Sequence, residues 1–561
     1  MNKAARKFAG WLLLSLPFTV ALLFSSRFSP PFSAPKNAIL VLTASLLAAL
    51  ALVSFSGWKA GREARPFWMA VAAYVALNAF SAVISQNPSL CIGSLVLLVC
   101  GVLLFAGSLA ALEGTTRAAN LHNLQIAITV AAALVSLATV LQFFGMNPFY
   151  GHRIQEDSAY RMRMYATLGN PDFVATFLAA ALPASIVSCV TARRSRPAWI
   201  LTSALIGVAI VVTGSRGGLI AAIVGAVAVA FTLRRTRAWI LLAVVFACAL
   251  GVGTHLNSRK PWESLRGRIF IWQVSPSDGA ARSVLGSGPG TFAHDYPARL
   301  GQFFSKPGSE PLLRFARHER HAQNDFVEAL SDTGWLGLCG LVALVGSWFA
   351  LATRKLRACG DEEKPGVAAA IACVSSLCAA SLFDFPMHRA ETWALFWISM
   401  AVPLVPSTCA AVPQPRRALL RYAGAALLLI AGSCFAFAPL VASYELAKGE
   451  SEENQGRLQS SLQAYRSALR WEPTSPDANF DLVRTAAKGG DFAGALAQSR
   501  LAKQYVNEPE LYILRSRILQ LAGQESEARH EVEVAVKLFP YSADLRNEVN
   551  SLSVEETPKK R

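Results

Sequence analysis

The stretch Leu90-Cys-Ile-Gly-Ser-Leu-Val-Leu-Leu-Val-Cys-Gly-Val-Leu-Leu-Phe-Ala-Gly-Ser-Leu-Ala-Ala-Leu112 contains no charged side chain and no proline. A helix needs about 20 mostly apolar residues to cross the hydrocarbon core of a bilayer, so this stretch predicts a transmembrane helix. The whole chain has the same bias. Of its 561 residues 53% are hydrophobic and 16% are charged, whereas a soluble protein has about 45–50% and about 25%.

Twelve further stretches have this character and, with the first, predict an all-α polytopic membrane helical bundle over residues 1–442. The thirteen predicted spans lie near residues 10–25, 38–56, 66–85, 90–112, 124–145, 172–190, 198–214, 217–233, 238–255, 333–353, 366–383, 392–408 and 420–442. Lys3, Arg6 and Lys7 precede the first span, a charge pattern that signal peptides share. No small-residue cleavage site follows, so we interpret this span as a membrane anchor.

Lysine and arginine residues predict how the spans are oriented, because they concentrate in the cytoplasmic loops of membrane proteins. With the N-terminus inside, the inside segments carry 20 Lys and Arg residues and the short outside loops carry 7. This bias favours thirteen spans over twelve or fourteen. An odd number places the large loop 257–332 and all residues after Ala442 outside the cytoplasm. The net charge of +17 is thus explained by topology, and we expect no nucleic-acid partner.

After Ala442 the sequence becomes polar, and it repeats itself. Small residues recur at spacings of 33 or 34, with a proline near the end of each unit: Gly456, Gly490 and Gly523; Ala468, Ala502 and Ala535; Ser461, Ala495 and Ala528; Pro473, Pro509 and Pro540. This resembles the tetratricopeptide (TPR) repeat, in which small residues lie where paired helices touch. The pattern predicts a TPR-like α-solenoid over residues 443–549 that binds an envelope protein partner, and then a polar tail at 550–561. An unrelated helical bundle is the alternative.

The cysteines argue against a disulfide framework and against a zinc site. All ten lie between Cys91 and Cys434, mostly inside apolar stretches, and no CxxC pair occurs. The outer loops contain no DxD motif of the kind that binds a divalent metal. We therefore expect neither a metal nor a cofactor.

Arg216 lies in the sequence Thr-Gly-Ser-Arg-Gly-Gly between two apolar stretches, at the predicted outer membrane surface. An arginine at that depth is unfavourable unless its side chain reaches the interface or finds a partner. Two interpretations follow. Either the side chain extends to the interface from a tight hairpin, or it binds an anion, since the guanidinium group matches phosphate geometry. Gly214, Gly217 and Gly218 would let a ligand oxygen approach the backbone closely.

The large outer loop is nearly balanced in charge, with ten basic and eight acidic residues. Arg266-Gly-Arg268 opens a short amphipathic stretch that ends at Trp272. Near the end of the loop, His321-Ala-Gln-Asn-Asp325 leads into the tenth predicted span. Two roles are open for His321. It either caps this helix, or it acts as a general base, because histidine can accept a proton near neutral pH.

Four motifs of the chain occur in a fixed order. They are Thr167-Leu-Gly-Asn-Pro-Asp172, Ser215-Arg-Gly-Gly218, Arg268 with Trp272 and Gly286-Ser-Gly-Pro-Gly290, and His321-Ala-Gln-Asn-Asp325 followed by Gly334 and Gly337. Together they resemble the O-antigen ligase and polymerase family of membrane glycosyltransferases, over roughly residues 10–405. The resemblance implies metal-independent transfer of a glycan from undecaprenyl diphosphate to an acceptor hydroxyl. It also implies a multi-pass protein of the bacterial inner membrane, with the repeats in the periplasm.

The resemblance assigns a role to three residues. His321 would activate the acceptor, and Arg216 and Arg268 would bind the diphosphate of the donor. Five neighbours are possible supporting residues: Arg266, Asn170, Asn324, Asp325 and His318.

The acceptor stays open between a lipid A-core, a polysaccharide and a protein. Protein O-oligosaccharyltransferase and polysaccharide polymerase activities are therefore alternatives that would use the same site. A different class of function, a non-enzymatic envelope scaffold or a transporter that uses its repeats, is a further alternative. Transport favours ionisable residues at mid-membrane depth, and the predicted spans contain almost none.

Overall fold

The computed structural model describes residues 3–54, 62–114, 117–146, 164–192, 194–233, 261–276, 280–405 and 418–554. This part of the chain is helical, without β-strands. Its first eight helices are α1 (Lys3–Leu22), α2 (Ala34–Ser54), α3 (Arg65–Ile84), α4 (Cys91–Leu112), α5 (Arg117–Phe143), α6 (Pro171–Thr191), α7 (Arg196–Val212) and α8 (Arg216–Leu233). The large loop and the rest of the bundle contribute α9 (Pro261–Val274), α10 (Ala280–Leu285), α11 (Phe292–Phe304), α12 (Asp325–Ala358), α13 (Lys364–Ala380), α14 (Ala390–Ala401) and α15 (Ala418–Asn454). The repeat region contains α16 (Leu458–Trp471), α17 (Pro476–Lys488), α18 (Phe492–Ala502), α19 (Pro509–Leu521), α20 (Glu525–Leu538) and α21 (Ala543–Val554).

The apolar helices establish a multi-pass membrane protein. Within the described residues, 8 helices are long and apolar enough to cross a bilayer: α2 to α6, α8, α12 and α15. Three shorter apolar helices coincide with α7, α13 and α14, and α1 covers the first predicted span. The ninth predicted span, 238–255, lies outside the described residues. The total of thirteen therefore stays a prediction.

Helices α6 and α14 form the centre of the bundle. Every residue of α14 is buried, and so is nearly all of α6. Helix α6 is rich in alanine, which lets neighbouring backbones come close; the first turn of α8, for example, brings Gly218 directly against Ala175. A helix covered on all sides by other helices contacts protein and not lipid, so α6 is held in a fixed position. The N-terminus of α6 is consequently also held in a fixed position.

Helix α12 begins earlier than the predicted span 333–353 and is interrupted at Gly334, whose φ is 66° and ψ is −169°. A Cβ at Gly334 would meet the Val284 backbone at 2.3 Å, and one at Gly286 would meet the Asp332 carbonyl oxygen at 2.1 Å. The glycine-rich turn and the interruption in α12 are thus fitted to each other, backbone to backbone. This contact fixes the segment 325–333, which the span prediction did not include.

Helix α15 joins the membrane bundle to the repeats without a break. It runs from Ala418 to Asn454, so the predicted boundary at residue 442 lies inside one helix. The helix contains Pro439, which removes one backbone hydrogen bond, and the repeats continue from it directly after the bundle.

In the repeat region each helix packs against the next one along the chain. The turn glycines Gly456, Gly490 and Gly523 have φ values of 76°, 81° and 73°. The alanines at the equivalent positions, Ala468, Ala502 and Ala535, are fully buried. The residues selected by their spacing thus occupy equivalent places in successive helical units.

We predict that a periplasm-active reporter enzyme fused after Arg457 is active, whereas the same reporter fused at Gly360 is inactive. The distribution of basic residues puts these two positions on opposite sides of the membrane. Reporter activity in cells expressing each fusion is the measurement, with immunoblots to match expression. Activity of a cytoplasm-specific reporter at Arg457 would contradict the count of thirteen spans.

Candidate functional site

The first turn of α6 is the part of the bundle around which the candidate residues lie. The Asn170 side chain caps this helix by accepting a hydrogen bond from the Asp172 amide at 2.9 Å. Arg389 makes two contacts with this part of the chain. Its guanidinium carbon lies 3.4 Å from the centre of the Phe173 ring, and it donates to the Leu168 carbonyl at 3.2 Å. The turn is therefore fixed by a cap, a cation–π contact and a backbone hydrogen bond.

His321 is oriented by a carboxylate and a stacked ring. Its Nδ1 lies 2.8 Å from Glu328 Oε1, and the other carboxylate oxygen of Glu328 accepts the Ala322 amide at 2.9 Å. The imidazole stacks on Phe385 with 4.0 Å between ring centres. Because an ionised carboxylate only accepts hydrogen bonds, Nδ1 carries a proton, and in the neutral imidazole the lone pair is then on Nε2. With 31% of its side chain exposed, His321 is accessible to a substrate.

A second histidine, His388, contacts the same Glu328 carboxylate as His321. Its Nε2 is 3.4 Å from Glu328 Oε1 and its Nδ1 is 3.1 Å from Asp325 Oδ1. Burial alone would lower the pKa of His388, but the carboxylates of Glu328 and Asp325 outweigh burial and raise the pKa to about 9. His388 is therefore protonated at neutral pH. It supplies a positive charge at the same Glu328 oxygen that His321 contacts, with 5.1 Å between the centres of the two imidazole rings.

Arg268 lies on α9, which the indole of Trp272 attaches to the His321 segment by donating to the Ala322 carbonyl at 3.1 Å. The Arg268 guanidinium reaches to 4.0 Å from the Asp172 carboxylate. It lines a cavity of about 560 Å³ together with Arg314, Arg317 and other loop residues. Three guanidinium groups and two carboxylates, those of Glu263 and Glu319, line this cavity, so its formal charge is positive by one and it can accept an anion.

Arg216 is the first residue of α8 and is exposed. The next two residues explain the local sequence. A Cβ at Gly217 would lie 3.1 Å from Phe383, and one at Gly218 would lie 2.3 Å from Ala175. These two glycines therefore permit close helix packing, and not the close ligand approach suggested by the sequence. Gly214, with φ of 71° and open space around it, is the one that leaves the backbone accessible.

The structure places Arg268 beside the first turn of α6, connects His321 to that turn through Phe385, and packs the helix that begins with Arg216 against the second turn. Asp172 is next to Arg268, Phe173 contacts Phe385 beneath His321, and Ala175 contacts the glycine turn after Arg216. The loop 381–389 touches both the α8 start and His321. The cavity of about 560 Å³ is lined by Arg268 and by neither of the other two residues.

The five possible supporting residues have different surroundings. Asn170 and Asn324 are N-caps of α6 and α12, so the capping role considered for His321 belongs to Asn324. Asp325 is buried and accepts hydrogen bonds from Ser381 and the Met387 amide. Arg266 is exposed on α9, and His318 points to Glu508 in the repeat region at 3.4 Å.

Glu328, His388, Phe385, Arg314 and Arg317 were not identified from the sequence as site residues. Glu328 has a detectable signal, because it lies seven residues after His321 and in the first turns of a helix. His388 lies 67 residues after His321, and only tertiary structure brings the two together.

Three groups of the site are close enough to hold a metal ion. His321, Glu328 and His388 each offer one ligand atom, and these atoms all lie within 4.8 Å of one another. A protonated imidazole has no lone pair to donate to a metal. A metal ion at this cluster would have to displace the proton of His388, so the metal-independent reaction expected from the sequence stays a prediction.

The middle of the chain matches the model of a known protein family. Residues 201–342 match the family model described as O-antigen ligase. The matched segment includes Arg216, Arg268, His321 and Glu328, and it ends before His388 and the repeats. A search of curated proteins found no match.

The match supports the O-antigen ligase family, whose members are generally membrane enzymes of the glycosyltransferase or ligase type. The protein thus combines a multi-pass helical bundle with an O-antigen ligase segment.

Proposed function

We propose that this protein is a membrane glycosyltransferase that moves a glycan from undecaprenyl diphosphate to an acceptor hydroxyl on the outer face of the inner membrane. The observation that carries the proposal is the carboxylate-oriented His321, which Phe385 connects to the first turn of α6, with Arg268 beside that turn. The family match over residues 201–342 supports the reaction class.

The reaction we propose is a single displacement. The acceptor oxygen attacks the anomeric carbon of the glycan, and the bond from that carbon to the diphosphate oxygen breaks. The acceptor proton passes to Nε2 of His321, whose Nδ1 is held by Glu328. The products are the glycosylated acceptor and undecaprenyl diphosphate.

The leaving diphosphate gains negative charge in the transition state, and positive groups must stabilise that charge. Arg268 and Arg216 are the proposed ligands. Arg216 is also the first residue of α8, and the dipole of that helix favours an anion at its N-terminus. Arg314 and Arg317 extend the positive surface of the cavity beside Arg268.

Donor and acceptor are finer parts of the proposal. A lipid A-core acceptor would make the protein an O-antigen ligase in the strict sense. A polysaccharide or protein acceptor would use the same base and the same arginines. The repeats, whose equivalent glycines and alanines support the TPR-like interpretation, are the proposed contact surface for an envelope partner in the periplasm.

The proposal is tested by deleting the gene and analysing the cell's lipid-linked glycans by mass spectrometry. We expect undecaprenyl-diphosphate-linked glycan to accumulate and one glycoconjugate to disappear; the lost conjugate identifies the acceptor. An accumulating donor of single repeat units would indicate polymerisation, whereas long chains would indicate ligation. Unchanged lipid-linked glycans would contradict the proposed function.

We predict that chelation leaves the transfer rate unchanged. The proposed chemistry needs no metal at His321, Glu328 and His388, because His321 serves as the base and Arg216 and Arg268 bind the diphosphate. The measurement is the initial rate of the purified protein after EDTA treatment and gel filtration. Loss of activity that added Zn²⁺ or Mn²⁺ restores would instead make the three residues a metal site.

A further inference from the structure

The hydrophobic core of the large outer loop continues into the repeat region. Phe292, Tyr296 and Leu300 on α11 belong to a buried cluster in the loop, and Tyr541 of the repeat region packs against that cluster. Tyr541 also packs against the separate cluster of the last repeat, around Phe539. One side chain thus belongs to both packing units, so the repeats are not simply attached to the bundle by a linker.

Backbone contacts accompany this packing. A Cβ at Gly301 of α11 would lie 2.3 Å from the Lys537 carbonyl oxygen of α20. The Asn507 side chain donates to the His294 carbonyl at 2.7 Å. Backbones approach this closely only where two surfaces are fitted to each other.

Three charged contacts connect the repeat region to Arg320 and His318, which lie shortly before His321 in the chain. Arg320 lies 3.0 Å from Asp477 and 3.7 Å from Glu508, and His318 lies 3.4 Å from Glu508. The contact with His318 holds the pKa of the Glu508 carboxyl below its usual range. The segment that presents His321 therefore has Glu328 and Trp272 on one side, and the repeat region on the other.

The other end of the repeat region is also fixed. The Ser29 amide donates to the Ser443 carbonyl at 3.1 Å, and the Ser29 hydroxyl donates to Glu450 at 2.9 Å. Both acceptors lie on the continuous helix α15. The chain thus passes from the bundle into the repeats through helix α15, and the repeats contact the bundle again at the His321 segment.

We propose that the repeat region acts within its own chain as a brace that positions His321 for the transfer reaction. Arg320, Asp477 and Glu508 are positioning residues in this arrangement, and α11 and α20 supply most of the contact. The inference rests on the proposed function of His321, and it gives the repeats a role in turnover that a recruiting module would not have.

The exposed ion pairs and the buried packing contacts have different roles in this arrangement. The side chains of Arg320 and Asp477 are 61% and 46% exposed, and exposed ion pairs contribute little to stability. The buried contact of Tyr541 and the fitted backbones at Gly301 hold the two parts together. The ion pairs set the register of the His321 segment.

The test introduces a large side chain where α11 and α20 touch. Gly301→Leu forces α11 away from α20, and Gln302→Leu, at an exposed position of the same helix, is the matched control. We expect Gly301→Leu to lower kcat by on the order of 10²-fold, since small displacements of a catalytic group have effects of that size. Donor Kd and acceptor KM should stay unchanged, and the control should behave as wild type.

Hydrogen exchange gives a readout that does not depend on activity. We expect the backbone amides of residues 316–322 to exchange faster in Gly301→Leu and not in Gln302→Leu. Faster exchange with full kcat would overturn the brace. So would a raised acceptor KM at unchanged kcat, because that result describes recruitment of the acceptor.

A charge exchange serves if Gly301→Leu does not fold. Arg320→Asp and Asp477→Arg should each lower kcat, and the double variant should recover it. Failure of the double variant to exceed either single variant would overturn the inference. If the wild type itself transfers no glycan, the proposed function fails, and hydrogen exchange still tests the brace.

Discussion

Replacing His321 by glutamine is expected to reduce glycan transfer by about 10²–10⁴-fold, the contribution typical of a general base. Glutamine keeps hydrogen-bonding capacity towards Glu328, which lies 2.8 Å from Nδ1, but it cannot accept the acceptor's proton. Donor Kd should therefore stay unchanged while kcat falls. Single-turnover transfer with purified protein in vesicles separates these two quantities.

His294→Gln is the matched control for that variant. His294 is a histidine of the same outer loop whose ring lies 3.0 Å from Asp295, outside the network of Glu328. We expect it to transfer at close to the wild-type rate. Near wild-type transfer by a folded His321→Gln protein would remove His321 from the mechanism, and the arginine sites would remain to be tested separately.

The arginine variants are expected to affect donor binding. A hydrogen bond to a charged group contributes about 1.5–3 kcal/mol, so Arg268→Ala should raise the donor Kd by about 10- to 150-fold. Arg216→Ala should act in the same direction. Arg268→Lys should recover only part of the affinity, because an ammonium group lacks the planar pair of donors that fits a phosphate.

Lys306→Ala is the control for a general loss of positive charge, since Lys306 is an exposed residue of the same loop. Its donor Kd should equal that of the wild type. If the Lys306 and Arg268 variants lose affinity equally, the effect is long-range attraction, and a specific diphosphate contact at Arg268 is wrong. The donor Kd is measured by titration of detergent-solubilised protein at two salt concentrations.

The membrane helices were the part of the fold most accessible from sequence, for a physical reason. A bilayer imposes a minimum length and an apolar composition on each span, and both can be read locally. Helix ends were less predictable. Helix α12 extends to Asp325 because Asn324 caps it and because the glycine-rich turn supports its interruption at Gly334.

The candidate site shows the same contrast. Arg216 and His321 could be selected because a charged or titratable residue at a membrane surface is chemically conspicuous, and Arg268 was selected through the resemblance to the O-antigen ligase family. Their partners could not, since His388 and Phe385 approach His321 only through packing of the loop 381–389. The roles of Gly217 and Gly218 were misjudged for a related reason: a glycine signals close approach, but the sequence does not say whether a ligand or a helix approaches.

The most direct test of the central proposal is transfer by the purified protein in vesicles, with an undecaprenyl-diphosphate-linked glycan as the only donor. The acceptor is the glycoconjugate that a deletion strain fails to complete. We predict that wild-type protein forms the glycosylated acceptor and releases undecaprenyl diphosphate in equal amounts in the presence of EDTA. We predict that His321→Gln forms both products much more slowly. Donor that remains intact with folded wild-type protein and the correct acceptor would contradict the proposal.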